Sequence, residues 1–120
     1  MKIFGHPWVD MEQLYSISNK EEIVKTPSNS TLKMEKFDIN LMKHCQNNAL
    51  IYIVEVQNIK EAIFANLTSA KYILCSKKLA IELMPIAQNY LFDTQILAYI
   101  GSENEIEEMA KVGVDGVYLK

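Results

Sequence analysis

The sequence contains no arginine; all 12 of its basic residues are lysines. Arginine is the side chain best suited to gripping phosphate, carboxylate or guanine with two parallel hydrogen bonds, so its absence weighs against that mode of recognition. A net charge of −3 and a pI near 5.4 remove the basic footprint of a nucleic-acid-binding domain. Cysteine is scarce. Cys45 and Cys75 are isolated and share no short ligand spacing, which excludes a disulfide framework and a zinc site of the usual kind. Long apolar runs are missing too: Met1 to Asp10 carries His6, Pro7 and Asp10 and reads as neither a signal peptide nor a membrane span. There is no glycine-rich phosphate loop and no catalytic triad pattern. These absences predict a cytoplasmic protein with no cofactor, no metal, and neither nucleic acid nor membrane as a partner.

What is present is a regular alternation. The 120 residues suit one domain large enough for its own core. Leu50 to Val56 is a continuous apolar, β-branched run, as expected of a strand buried on both faces. Asn58 then caps a helix, with Glu61 three residues on and Ile59, Ala62, Ile63 and Leu67 at helical spacing. Tyr72 to Cys75 is a second short strand. Ser76 caps the next helix through Leu79, Ala80, Leu83 and Met84, and Pro85 predicts a kink or split before Tyr90. Gln95 to Ile100 follows as a strand. Ser102 and Glu105 form a capping-box pattern, and Ile106, Met109 and Ala110 face the core until Gly113 stops the helix. Val117 to Leu119 is the last strand.

Upstream the signal weakens. Ser30 to Glu35 reads as a strand diluted by Lys33 and Glu35, and Asp38 caps a helix running to Asn47 and Asn48. Leu14 to Ile17 has strand character, and Thr26 to Ser30 is a loop. Residues 1–27 are read as an N-terminal extension packing on a single α/β domain of residues 28–120.

Strands alternating with helices make a parallel sheet the default. About five strands in this order predict an open, doubly wound, flavodoxin-like sheet of order 2-1-3-4-5, lacking its last helix. Half of a (β/α)8 barrel is the rival, because its local units are the same. With the last helix missing, the doubly wound sheet leaves a bare apolar face. Residues 1–27 are expected to cover it, through Phe4, Trp8, Leu14, Tyr15 and Ile17, with Trp8 a buried indole and with Phe4, Trp8, Tyr15 and Ile17 as interface candidates for a homodimer.

Two segments carry a family resemblance: YIVEVQNIKEAI from Tyr52 to Ile63, and QILAYIGSENEIEEMAKVGVDGVYLK from Gln95 to Lys120. Together they resemble a response-regulator receiver domain, with Lys120 matching that family's switch lysine. Receivers need a phosphoacceptor aspartate at the end of the third strand, where this chain has Cys75 and Ser76. The resemblance therefore implies a degenerate receiver that has lost phosphotransfer. The stretch from Gly101 to Val117 also resembles late strands of (β/α)8 barrels that handle sugar phosphates, and short bacterial α/β proteins without an assigned role.

In an open α/β sheet, ligands bind beyond the carboxyl ends of the strands. Glu35, Asp38, Glu55, Cys75, Ser76, Gly101, Ser102 and Lys120 fall there, and Glu55, Cys75, Ser76, Gly101 and Ser102 are the ligand-binding candidates. Glu55 inside an apolar strand has acid–base potential; half solvated at the strand end, it is a spectator. Cys75 near a helix start is either a nucleophile or a buried, inert thiol. Gly101 and Ser102 offer free N–H groups to an anion, although the capping box alone explains Ser102. His44 beside Cys45 does not form a pair, because adjacent helical side chains diverge by about 100°. Two readings follow. One is a non-catalytic module working through a protein partner or itself. The other is an enzyme or binder for a small molecule or phosphate ligand, with its site at the strand ends. A hollow joining Glu55, Cys75 and Ser102 would favour the second.

Overall fold

The computed structural model describes residues 1–120. Its elements in chain order are β1 (Lys2–Phe4), β2 (Leu14–Ser16), α1 (Lys20–Ile23), β3 (Thr31–Met34), α2 (Ile39–Asn47), β4 (Tyr52–Glu55), α3 (Ile59–Leu67), β5 (Tyr72–Cys75), α4 (Lys77–Asn89), β6 (Gln95–Ile100), α5 (Glu105–Val112) and β7 (Gly116–Leu119). The α/β alternation and the parallel sheet expected from the sequence are both present. All six strand pairings are parallel, including those joining the four C-terminal strands.

The strand order corrects the expectation. The sheet has seven strands in the order β1-β7-β6-β5-β4-β3-β2, not five in the order 2-1-3-4-5. From β2 to β7 each strand lies beside its neighbour in sequence, and β1 is added beyond β7. Helices accordingly gather on one face. Residues from α2, α3, α4 and α5 pack with Leu32, Val54, Ile73, Cys75, Ile96, Ala98 and Val117 in one large core. The alternate strand residues Ile53, Tyr72, Leu74 and Leu97 form a second core with Phe4, and no helix residue belongs to it.

That second core stays dry because the sheet curls. Neighbouring strands lie about 4.8 Å apart, so in a flat sheet β1 and β5, three places apart, would be separated by roughly 14 Å. Yet the Phe4 and Tyr72 rings meet at 5.8 Å between centroids. Lys33 on β3 reaches the ring of Tyr118, four strands away on β7, at 4.9 Å. The sheet is a curled half-barrel with helices outside and a narrow apolar interior.

The bare face expected of a doubly wound sheet is thus closed by the sheet itself. Phe4 is buried there and stacks on Tyr118 at 5.8 Å. Ile17 is buried and Tyr15 half-buried, both against the helix-side core instead. Trp8 overturns the buried-indole expectation: it is 88% exposed, in the segment joining β1 to β2, with its backbone N–H donating to His6 Nδ1.

Local signals acted mostly as read. Asp38, Asn58 and Ser76 each accept a hydrogen bond from the backbone N–H three residues on. Two expectations fail. Helix α4 is not split at Pro85, which lies inside it, and Ala110 faces solvent while Met109 alone of α5 is fully buried. At the amino ends of the strands, Glu12 accepts hydrogen bonds from Thr31 and Lys71, both at 2.8 Å. Burial opposes ionisation of Glu12, but the hydrogen bonds from Lys71 and Thr31 outweigh it and hold the carboxyl below its ordinary value. This contact closes the interior at the end opposite the candidate site.

Candidate functional site

The carboxyl ends of β4 to β7 converge on a hollow of about 540 Å³, lined by Glu55, Cys75, Ser76, Lys77, Tyr99, Gly101, Glu105 and Lys120 among others. Period-two alternation puts Glu55, Tyr99 and Lys120 on the inner side of their strands, one step beyond the interior residues Ile53, Leu97 and Tyr118. The structure therefore brings together four of the five ligand-binding candidates, with Lys120, while Glu35 and Asp38, expected at the same edge, line a separate hollow. Ser102 lies outside this hollow, on a neighbouring depression shared with His6, Trp8 and Lys120.

Each candidate has a defined environment. Cys75 is buried, and burial with the nearby charge of Glu55 pushes its thiol up to about 12. Its Sγ sits 3.8 Å from the Leu97 carbonyl oxygen. A thiol that resists ionisation is a poor nucleophile. Alkylation at neutral pH is expected to be slow in the native protein and fast in denaturant, followed by mass spectrometry of the Cys75 peptide; rapid native labelling would overturn this assignment. Cys45 behaves alike, pushed up to about 11 by burial, and it has no histidine partner: His44 lies 3.4 Å from the Asn48 amide instead. Ser76 is engaged, accepting from the Leu79 N–H as the α4 cap.

The N–H groups of Gly101 and Ser102 are not free for an anion. Glu105 Oε2 accepts from both, at 2.7 and 2.9 Å, and Lys77 donates to the other carboxylate oxygen. The Lys77 hydrogen bond is the main cause holding the Glu105 carboxyl below its ordinary value, with the Gly101 N–H adding to it. The chain supplies its own anion where the sequence suggested phosphate. Ser102 Oγ accepts from the Asn104 N–H, so the anticipated capping box is completed only on the glutamate side.

Sequence reasoning missed Tyr99, which lines the hollow, and Tyr118 and Lys33, which pack in turn beside it. Tyr99 and Tyr118 meet edge to face at 5.5 Å. The Lys33 ammonium stands over the Tyr118 ring and that of Lys120 over the Tyr99 ring, at 4.9 and 4.0 Å, attracted by the ring quadrupoles. Burial raises the pKa of Tyr99, and the nearby charge of Glu55 adds to this. Tyr99 thus stays a neutral hydrogen-bond donor at neutral pH. A discoverable signal existed: Lys33 and Glu35 alternate with buried Leu32 and Met34, as do Leu97, Tyr99 with Ala98, Ile100.

Beside β2 and β3 a second hollow of about 560 Å³ is lined by Ser16, Ser18, Glu22, Met34, Glu35 and Asp38. Asp38 is committed to capping α2, and Glu35 is the residue that also acts on Tyr99 through its charge. No group of three or more His, Cys, Asp or Glu side chains is placed to hold a metal ion, and no helix is long and apolar enough to cross a membrane.

Comparison with known proteins leaves the site to speak for itself: no protein-family model matches the chain, and no curated protein matches its sequence.

Proposed function

We propose that the protein binds a small polar molecule at the carboxyl-end mouth of its curled sheet. One observation carries this reading: Glu55 of β4, Tyr99 of β6 and Lys120 just beyond β7 line one hollow, with Tyr118 packed against Tyr99. Convergence of a few polar groups over apolar surface is the usual make-up of a ligand site. Binding is all that this arrangement requires. With Cys75 protonated and Ser76 committed to a cap, no activated nucleophile faces the hollow. The test is titration of 13C-tyrosine-labelled protein with a panel of small polar metabolites. A binding member is expected to shift the ring signals of Tyr99 and Tyr118, and Glu55→Gln to weaken that binding about tenfold, the size expected of a lost charge-assisted hydrogen bond. Tyrosine signals that stay put with every compound at millimolar concentration would sink the proposal.

A protein-contact role, the degenerate-receiver reading included, is second. What favours it is the outward face of α3, where Ile63, Phe64 and Leu67 are all exposed. The sequential strand order supports the barrel-like resemblance more than the receiver-like one.

A further inference from the structure

His6 is held at both of its ring nitrogens, and the two partners fix which nitrogen carries the hydrogen. Nδ1 accepts the backbone N–H of Trp8 at 3.1 Å, so Nδ1 is bare. Nε2 lies 2.6 Å from Glu103 Oε2; a carboxylate only accepts, so Nε2 is the protonated atom. One neutral tautomer satisfies both bonds. The ring is largely buried, its side chain 9% exposed, and it clasps two distant stretches of chain. One is the segment joining β1 to β2, and the other is the turn at residues 101–104 that leads into α5. Trp8 meets the His6 ring edge to face at 5.1 Å, and the Val9 N–H donates to the His6 carbonyl. No other hydrogen bond reaches residues 7–10, all of which are exposed. That segment hangs on His6.

We infer that His6 is a proton-operated catch for this segment. Protonating the imidazole places a hydrogen on Nδ1, where it faces the Trp8 N–H, donor against donor. The imidazolium keeps its bond to Glu103, now charged at both ends, and loses the bond to Trp8. The clasp therefore opens on one arm only: His6 stays with the turn before α5, and residues 7–10 are released. The charged groups facing the ring from the elements around it are Glu103 of the turn, Glu107 of α5 and Lys120 beyond β7. Of these only Glu103 bonds to it. Glu107 pairs with Lys111 at 3.7 Å, and Lys120 stands over the Tyr99 ring. Asp10, on the segment itself, lies outside both depressions around the ring. Gly101 and Lys120 line both the depression beside Trp8 and the hollow of the mouth, so the released segment borders the mouth's rim. The catch does not depend on the mouth being a ligand site.

The test follows the 15N-labelled full chain by NMR from about pH 8 to about pH 5, the interval in which histidine ordinarily changes charge. At the upper end the His6 ring nitrogens are expected to report the Nε2–H tautomer. As the ring takes up its second proton, the order parameters of the Trp8 and Val9 amides should fall from about 0.85 to below about 0.6. That fall should share the midpoint of the ring signals, while the Glu103 and Asn104 amides stay ordered. His6→Asn keeps an oxygen acceptor in place of Nδ1 and does not titrate, so Trp8 should remain ordered throughout. Replacing the chain's other histidine, His44→Gln, should leave the transition as it is; circular dichroism verifies that both variants fold. A Trp8 amide that stays ordered beside a protonated ring would overturn the inference, as would a ring carrying its high-pH proton on Nδ1 or taking up none by about pH 5. These readings come from the unsubstituted chain and stand even if a variant does not fold. If His6→Asn loosens with the same midpoint, another group is the trigger and the catch is wrong.

Discussion

Trimming Leu97 to alanine is expected to cost about 2–5 kcal/mol of folding stability, the range for deleting a fully buried leucine. Leu97 is completely buried, yet it lies on the face of the sheet that no helix covers. Its burial exists only because the sheet curls and brings Phe4 and Tyr72 together. In a flat sheet with that face open to solvent, the same substitution would fall within the roughly 0.5 kcal/mol typical of surface positions. Urea denaturation of Leu97→Ala, with the exposed Leu91→Ala as control, therefore measures the curl. A loss below about 1 kcal/mol for Leu97→Ala would show the interior to be open.

Gly5→Ala is expected to be comparably damaging, by about 2–5 kcal/mol, from left-handed backbone strain plus overpacking. Gly5 has φ +86°, and a Cβ there would stand 2.5 Å from the backbone oxygen of Leu119 on β7. A backbone atom has no rotamer into which to retreat, so β1 must shift away from β7 and take Phe4 with it. Gly113 supplies the internal reference. Its φ of +88° is nearly the same, but nothing lies within 4 Å of its would-be Cβ. Gly113→Ala should therefore show the strain alone, about 1–2 kcal/mol. The difference between the two melting curves isolates the contact; equal losses would mean that β1 is not held against β7 as described.

The local elements were legible where the chain itself supplied the signal. Caps at Asp38, Asn58 and Ser76 and the apolar run around Ile53 depend on a few neighbouring residues, and they formed. Strand order does not depend on neighbours. A strand apolar on both faces, such as Tyr52 to Val54, looks the same whether its second face meets helices or the inside of a curled sheet. That ambiguity is why a doubly wound sheet was expected. Strands β1 and β2, three residues each, pair at the two outer edges of the sheet and are too short to declare a period. The site was half legible for the same reason. Glu55, Cys75, Ser76 and Gly101 follow from strand ends, whichever way the sheet is wound. Lys33 meets Tyr118 only across the curl, and Tyr99 and Tyr118, ladder partners on β6 and β7, needed the inner side of the sheet to be known. Pro85 within a continuous helix shows the reverse case, tertiary packing of Leu83, Met84 and Ala87 overriding a local breaker.

Five of the six strand pairings join neighbours along the chain; the sixth joins Lys2 to Gly116. Closing that span costs about 1.5 kcal/mol more configurational entropy than closing a twenty-residue strand–helix–strand unit, because the penalty grows with the logarithm of loop length. That entropy makes the β1–β7 pairing the costliest of the six to close. Phe4 of β1 stacks directly on Tyr118, which carries Lys33 on one side and touches Tyr99 on the other. On the proposed ligand-binding reading, occupancy of the mouth and docking of the amino-terminal strand would be thermodynamically linked: a guest that steadied Tyr118 would also tighten the β1–β7 seam, and a loosened seam would weaken the guest by the same factor.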